Sequence, residues 1–117
     1  MTAGKSRKQY IPERGDLVWT DFDPADGHGQ MGHRPALVLS PFPFNQKIRL
    51  ALVIPVTSRV RGHGFEVPLA GEKVSGVALC HQVKTIDFVE RGLTFVEKAP
   101  EGAVSEALGK VRAIVAG

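Results

Sequence analysis

The chain has 117 residues, a formal net charge of +3, 43% hydrophobic and 23% charged content. This suits one soluble domain with one core and is unlike a disordered chain. A single cysteine, Cys80, excludes an internal disulfide and a cysteine-built zinc site, and no apolar run reaches the ~18–20 residues of a membrane span.

The opening "MTAGKSRKQY" is basic and lacks the apolar stretch of a signal peptide. It reads as a flexible arm over residues 1–9, ahead of a domain over 10–117 in a cytoplasmic protein. "GDLVWTDFDP" reads as a strand with bulk on both faces. Trp19 is expected to pack in the core. Asp23-Pro24 starts a turn, and residues 25–33 form a Gly-rich loop. "RPALVLS" is a second strand, apolar at nearly every position and therefore central. "PFPFNQK" breaks the strand and is expected to hold a short helical turn.

"IRLALVIPVTS" is the third strand, and "RVRGHG" a second basic, Gly-rich loop. "FEVPL" is a short strand and "AGEKVSG" a turn. "GVALCHQVKTIDFVE" reads as strand, break and strand, with Cys80 a buried structural residue. "RGLTFVEK" adds an edge strand. From Pro100 the apolar residues Val104, Leu108, Val111 and Val115 make a helical stripe. Short strands followed by one helix predict a small, strongly curved antiparallel sheet or barrel, the helix covering an open side. Apolar strands too numerous for so small a barrel to cover predict a homodimer.

The charge is uneven. The first 14 residues carry Lys5, Arg7, Lys8 and Arg14 against Glu13, and the remainder is balanced. Between Asp26 and Glu66 there is no acid, while that window holds Arg34, Lys47, Arg49, Arg59, Arg61, His28, His33 and His63. Such a surface attracts an anion, and a polyanion more strongly.

Metal and nucleotide motifs are lacking. His28 and His33 lie in a loop with no acid between them, and there is neither a P-loop nor a G-x-S-x-G elbow. No cofactor is expected. What remains is Arg34 at a loop-to-strand junction and Thr57 at a strand end. An arginine held there can grip a phosphate through paired hydrogen bonds. If the second and third strands are neighbours, both groups share one end of the sheet. The alternative is an exposed arginine beside an ordinary strand threonine.

The segments "GDLVWTDFDPADGHGQMGHRPALVLSPFPFN", "PVTS", "FEVPL" and "GVALCHQVKTIDF", in this order, resemble the MazF/PemK family of toxin endoribonucleases across about residues 10–116. The resemblance implies an SH3-like β-barrel with a C-terminal helix, acting as a homodimer. It implies metal-independent cleavage of single-stranded RNA to 2′,3′-cyclic phosphate and 5′-hydroxyl ends. It also implies a cognate antitoxin, MazE-like, whose acidic flexible segment fills the RNA groove. Arg34 matches the family's catalytic arginine in G-H-R-P, and Thr57 the threonine that holds the scissile phosphate. Phe22 is placed to stack on a base. His28, Gln30, His33, Arg59 and Arg61 belong to the loops lining the groove, and Gln82 and Lys84 match polar positions that contact RNA.

One position departs from the pattern. Many relatives carry a glutamate, proposed as general base, where this chain has Gly29. Three readings stand: Arg34 and Thr57 suffice, with help from His28 or His33; a Glu→Gly change disarms a toxic protein; or the chain binds RNA without cutting it. A different class also stands as an alternative. The same barrel resembles gyrase-poisoning toxins, which bind a protein and cut nothing, although those lack the G-H-R-P block.

Overall fold

The computed structural model of the chain describes residues 9–22 and 32–117. All of the expected arm but Gln9, and residues 23–31, lie outside the described residues, as does the side chain of Phe22; the loop expected over 25–33 is corrected at its end, because Gly32 and His33 already belong to a strand. The elements are β1 (Asp16–Phe22), β2 (Gly32–Val38), α1 (Phe42–Ile48), β3 (Ala51–Thr57), β4 (Glu66–Ala70), β5 (Ser75–Leu79), β6 (Lys84–Ile86), α2 (Phe88–Arg91), β7 (Thr94–Lys98) and α3 (Glu101–Ala116). A 3₁₀ turn, Cys80–Gln82, separates β5 from β6.

The strands form one curled antiparallel sheet in the order β4-β5-β3-β2-β1-β7, with β6 also paired to β3. As expected, β2 is interior and β7 an edge. One side of β3 pairs with β2 through Val53–Pro55. The other pairs with β6 through Ala51–Val53 and with β5 through Val56 and Thr57.

Adjacent apolar residues serve two cores, because side chains alternate across a strand. Leu17, Leu37, Ile54, Val56 and Val67 pack with Ala103 and Ala107 of α3. Val18, Ala36, Val38, Val53, Ile86 and Phe88 pack on the other face, under Tyr10, Ile11 and Leu93. The continuous apolar runs of β2 and β3 therefore reflect burial on both sides. Cys80 is fully buried, and burial pushes its thiol pKa up.

Three sequence expectations need correction. The break after β2 is a seven-residue helix, so β3 begins at Ala51 rather than Ile48. Pro43 is tolerated in its first turn, and Arg49, with φ 67°, closes the helix. The strand expected through Glu90 stops at Ile86. Asp87 then accepts the Glu90 N–H at 3.1 Å and caps α2. On α3 the contact line runs through Ala103, Ala107, Val104 and Val111, whereas Val115 is 79% exposed.

Two polar clusters fix the chain reversals. Buried Asn45 accepts Ser40 Oγ at 2.5 Å and donates to the carbonyls of Pro12 (2.8 Å) and Ser40 (3.0 Å). Ser40 Oγ in turn accepts the Leu52 N–H at 2.8 Å. Buried Asp16 accepts the Tyr10 hydroxyl, the Glu13 N–H at 3.0 Å and Lys98 Nζ at 2.6 Å. These bonds satisfy polar groups that would be costly to bury alone.

The β4–β5 turn is tied to β7. Glu97 accepts the N–H groups of Lys73 and Val74, each at 2.9 Å, and of Glu72 at 3.2 Å. The Lys73 N–H does most to hold the carboxyl below its ordinary pKa; burial opposes it, and the Val74 and Glu72 N–H groups and the Lys73 charge assist. Gly76, with φ +149°, brings β5 against the end of β3. A Cβ there would lie 2.2 Å from Thr57 O.

Gly76→Ala should cost about 1–3 kcal/mol, from overpacking and backbone strain. An unchanged urea midpoint would refute the crowding. Glu97 should give the fold an acid-sensitive component. Its folded pKa lies below the ordinary 4.5, so its contribution is complete above that value and is lost as pH falls through the folded one. Glu97→Gln should therefore lose less melting temperature than the parent between about pH 5 and 3. Parallel curves would contradict this.

Candidate active-site cleft

Continuing the β2–β3 register two residues from Ala36↔Pro55 sets Arg34 opposite Thr57. The condition posed by the sequence is thus met: the two strands are neighbours, and both residues lie at one end of the sheet. They line a cleft of about 320 Å³ together with Trp19, Pro35, Val56, Ser58, Lys73, Val74 and Ser75. One wall comes from β1 and β2, the floor from the end of β3, and the other wall from the β4–β5 turn held by Glu97.

The lining divides by chemistry. Trp19, Pro35, Val56 and Val74 are apolar. Arg34 and Lys73 carry positive charge, while Thr57, Ser58 and Ser75 offer hydroxyls. Thr57 Oγ1 accepts the Arg59 N–H at 3.1 Å. Its own proton can then serve a ligand oxygen. A cleft near the lower end of ligand-pocket volumes, with cations and hydroxyls on one side, suits a phosphate attached to a flat apolar group.

The expected core role of Trp19 is corrected. It is half-buried and lines the cleft. The sequence could not separate these roles, because Trp19 shares a strand face with fully buried Leu17. Lys73, Ser58 and Ser75 were also missed. Lys73 and Ser75 belong to a turn with no motif of its own, and only the fold brings that turn to Arg34. Ser58 directly follows Thr57 in "PVTS", which was the one available signal.

The other predicted residues are not part of its lining. Exposed His33 donates from Nδ1 to Asp21 Oδ1, 2.7 Å away, and stacks on Trp19 at 5.7 Å between ring centroids and 8° between planes. Arg59 and Arg61 lie in the loop after β3. Buried Glu66 anchors that loop by accepting the Gly62 N–H at 2.8 Å and the Arg61 N–H at 2.9 Å. Burial pushes the Glu66 pKa up, but those N–H groups, then His63 and the Arg61 charge, bring the net shift down. Gln82 ends the 3₁₀ turn beside His81, and Lys84 starts β6 opposite Val53. His28, Gly29 and Gln30 lie outside the described residues, as does the side chain of Phe22. Among the described residues no three His, Cys, Asp or Glu side chains gather into a metal-binding group, and no helix is long and apolar enough to cross a membrane.

Residues 13–115 match the family described as PemK-like, MazF-like toxin of type II toxin-antitoxin system. The chain is 51% identical over 86 residues to the endoribonuclease toxin MazF of Escherichia coli K12, an alignment covering 74% of this chain and 78% of that protein. MazF from Deinococcus radiodurans superposes with a TM-score of 0.84 at 40% identity, covering 93% of this chain and all of the other. The MazF chain of a MazE–MazF complex from the same organism gives 0.79 at 37% identity, covering 92% and 97%. A cleft built on G-H-R-P and P-V-T-S, a half-barrel with one C-terminal helix and a match over nearly the whole chain agree: the protein belongs to the PemK/MazF family of type II toxin–antitoxin toxins.

Proposed function

We propose that the chain is a metal-independent, sequence-specific endoribonuclease acting on single-stranded RNA in the cytoplasm. The observation that carries this reading is Arg34 and Thr57 lining one cleft from the neighbouring strands β2 and β3. In the reaction a ribose 2′-oxygen attacks the adjacent phosphorus and loses its proton. The bond from phosphorus to the 5′-oxygen breaks, and that oxygen gains a proton. The products are a 2′,3′-cyclic phosphate and a 5′-hydroxyl. Arg34 stabilises charge that grows on the phosphoryl oxygens, and the Thr57 hydroxyl orients one of them. Lys73 adds a second positive group from the opposite wall.

The reading includes a homodimer, and MazE–MazF complexes of relatives support restraint by a cognate antitoxin. The acidic flexible segment of such a partner would meet the same cations that RNA meets. Gly29 leaves the 2′-hydroxyl without the glutamate base of many relatives, and cleavage by Arg34 and Thr57, with help from His28 or His33 in proton transfer, is the preferred reading.

Cleavage of a long single-stranded RNA with EDTA present, with product ends mapped, tests the reading. The parent should cut at a short motif and leave 5′-hydroxyl ends, and Arg34→Ala should cut roughly 10²–10³-fold more slowly. Gly29→Glu, run alongside, should share the parent's motif. Cutting by Gly29→Glu alone would identify a disarmed enzyme. Failure of both, with inhibition of DNA supercoiling, would favour a protein-binding toxin instead. Lys73→Met should weaken RNA binding and flatten the plot of log affinity against log salt by about 0.7, the value for one contact to a single strand. An unchanged slope would remove Lys73 from the phosphate contacts.

A further inference from the structure

The geometry points to Trp19 as the stacking wall for a nucleobase next to the scissile phosphate, with His33 and Asp21 as the residues that position it. This rests on the ribonuclease reading and extends it by one contact. Trp19 lies in the same cleft as Arg34 and Thr57. Pro35, Val56 and Val74 complete an apolar slot beside the cations and hydroxyls. A phosphate held at Arg34 and Thr57 would leave its own base facing that slot.

An indole at such a site must keep one orientation, or its stacking gain is spent on ordering it. Here the orientation is fixed from outside the cleft. Trp19 pairs with Pro35 across the β1–β2 ladder, and Asp21 pairs with His33 two residues along. All four residues share one face of the sheet, while Arg34 and Thr57 stand at the alternate positions and line the same cleft. The His33 ring lies 8° from parallel to the indole, and Asp21 Oδ1 holds His33 Nδ1 at 2.7 Å. Asp21 therefore orients His33, and His33 braces Trp19. A tryptophan needed only for packing would not require this exposed chain of support. Pyrimidines and purines both offer a π-face, so the slot supplies affinity, and hydroxyls such as Ser58 and Ser75 are placed to read a base edge.

Trp19 is the only tryptophan of the chain, so its fluorescence reports this slot alone. The experiment titrates the intact protein with a single-stranded oligoribonucleotide containing the cleavage motif, blocked by a 2′-deoxy group at the cut. A matched series carries an abasic residue at each position flanking the cut. Quenching should occur with the intact oligonucleotide and disappear at one abasic position. That position should bind about 5- to 150-fold more weakly, the range for loss of one stacked base. Trp19→Leu should reproduce the weakening and become indifferent to the abasic position. Trp19→Phe should restore most of it. His33→Leu should raise KM more than it lowers kcat.

If the parent cuts RNA but shows no quenching, and folded Trp19→Leu keeps full kcat/KM, the stacking assignment is wrong and the nuclease reading survives. If quenching and abasic sensitivity appear without cutting, the stacking assignment stands and the nuclease reading fails. If neither appears over a broad set of RNAs, both are overturned.

Discussion

The cleft exists because one carboxylate closes a gap in the sheet. β4 and β7 are its two ends, and hydrogen-bonded pairing does not join them. Glu97 on β7 instead receives three successive amides of the β4–β5 turn. Bonds to an ionised acceptor are roughly twice as strong as neutral ones. Gly71 shows how close the approach is, since a Cβ there would lie 2.5 Å from Glu97 Oε2. Lys73 and Val74 give their N–H groups to Glu97 and also line the cleft, followed by Ser75. The contact that completes the half-barrel is thus the one that sets the second wall of the site.

The opposite requirement, a rigid floor, is met by β3. Its residues alternate between two cores, with Val53 on one side and Ile54 and Val56 on the other. Partners lie along both edges. A strand buried on both faces and paired on both sides has little freedom, and Thr57 ends it. Gly76 keeps that end in contact with β5, since any side chain there would strike the Thr57 backbone. Arg34 is the third residue of β2, opposite Thr57 at the end of β3. Both candidate groups therefore stand on paired strands, which favours accurate placement.

What the sequence disclosed follows the same division. Strand identity, the C-terminal helix, and Arg34 and Thr57 were legible, because period-2 and helical patterns and the family motifs are local. The helix over 42–48 was underestimated, since Pro41 and Pro43 read as breakers while buried Asn45 holds the segment through contacts to Pro12 and Ser40. The end of β6 was overrun, because Phe88 is buried whether it sits in a strand or in the turn capped by Asp87. Trp19 was misassigned for a related reason. Its strand face is core at Leu17 and cleft two residues later, and the distance from the helix that covers the core is not written in the strand. Lys73 was invisible, because its role depends on Glu97 capturing a turn 24 residues earlier in the chain.

The absence of acids between Asp26 and Glu66 is only half of the electrostatic design. Three carboxylates of the neighbouring elements are engaged in structural bonds: Asp21 meets His33, Glu66 takes the amides of Arg61 and Gly62, and Glu97 takes three amides from the turn. The charged residues in the cleft lining itself are Arg34 and Lys73, and both are cations. Their field would attract an incoming phosphate and an acidic peptide segment alike, so one charge arrangement serves both substrate and inhibitor. What an acidic peptide lacks is a nucleobase, and the apolar slot beside Trp19 is the part of the cleft able to tell the two apart.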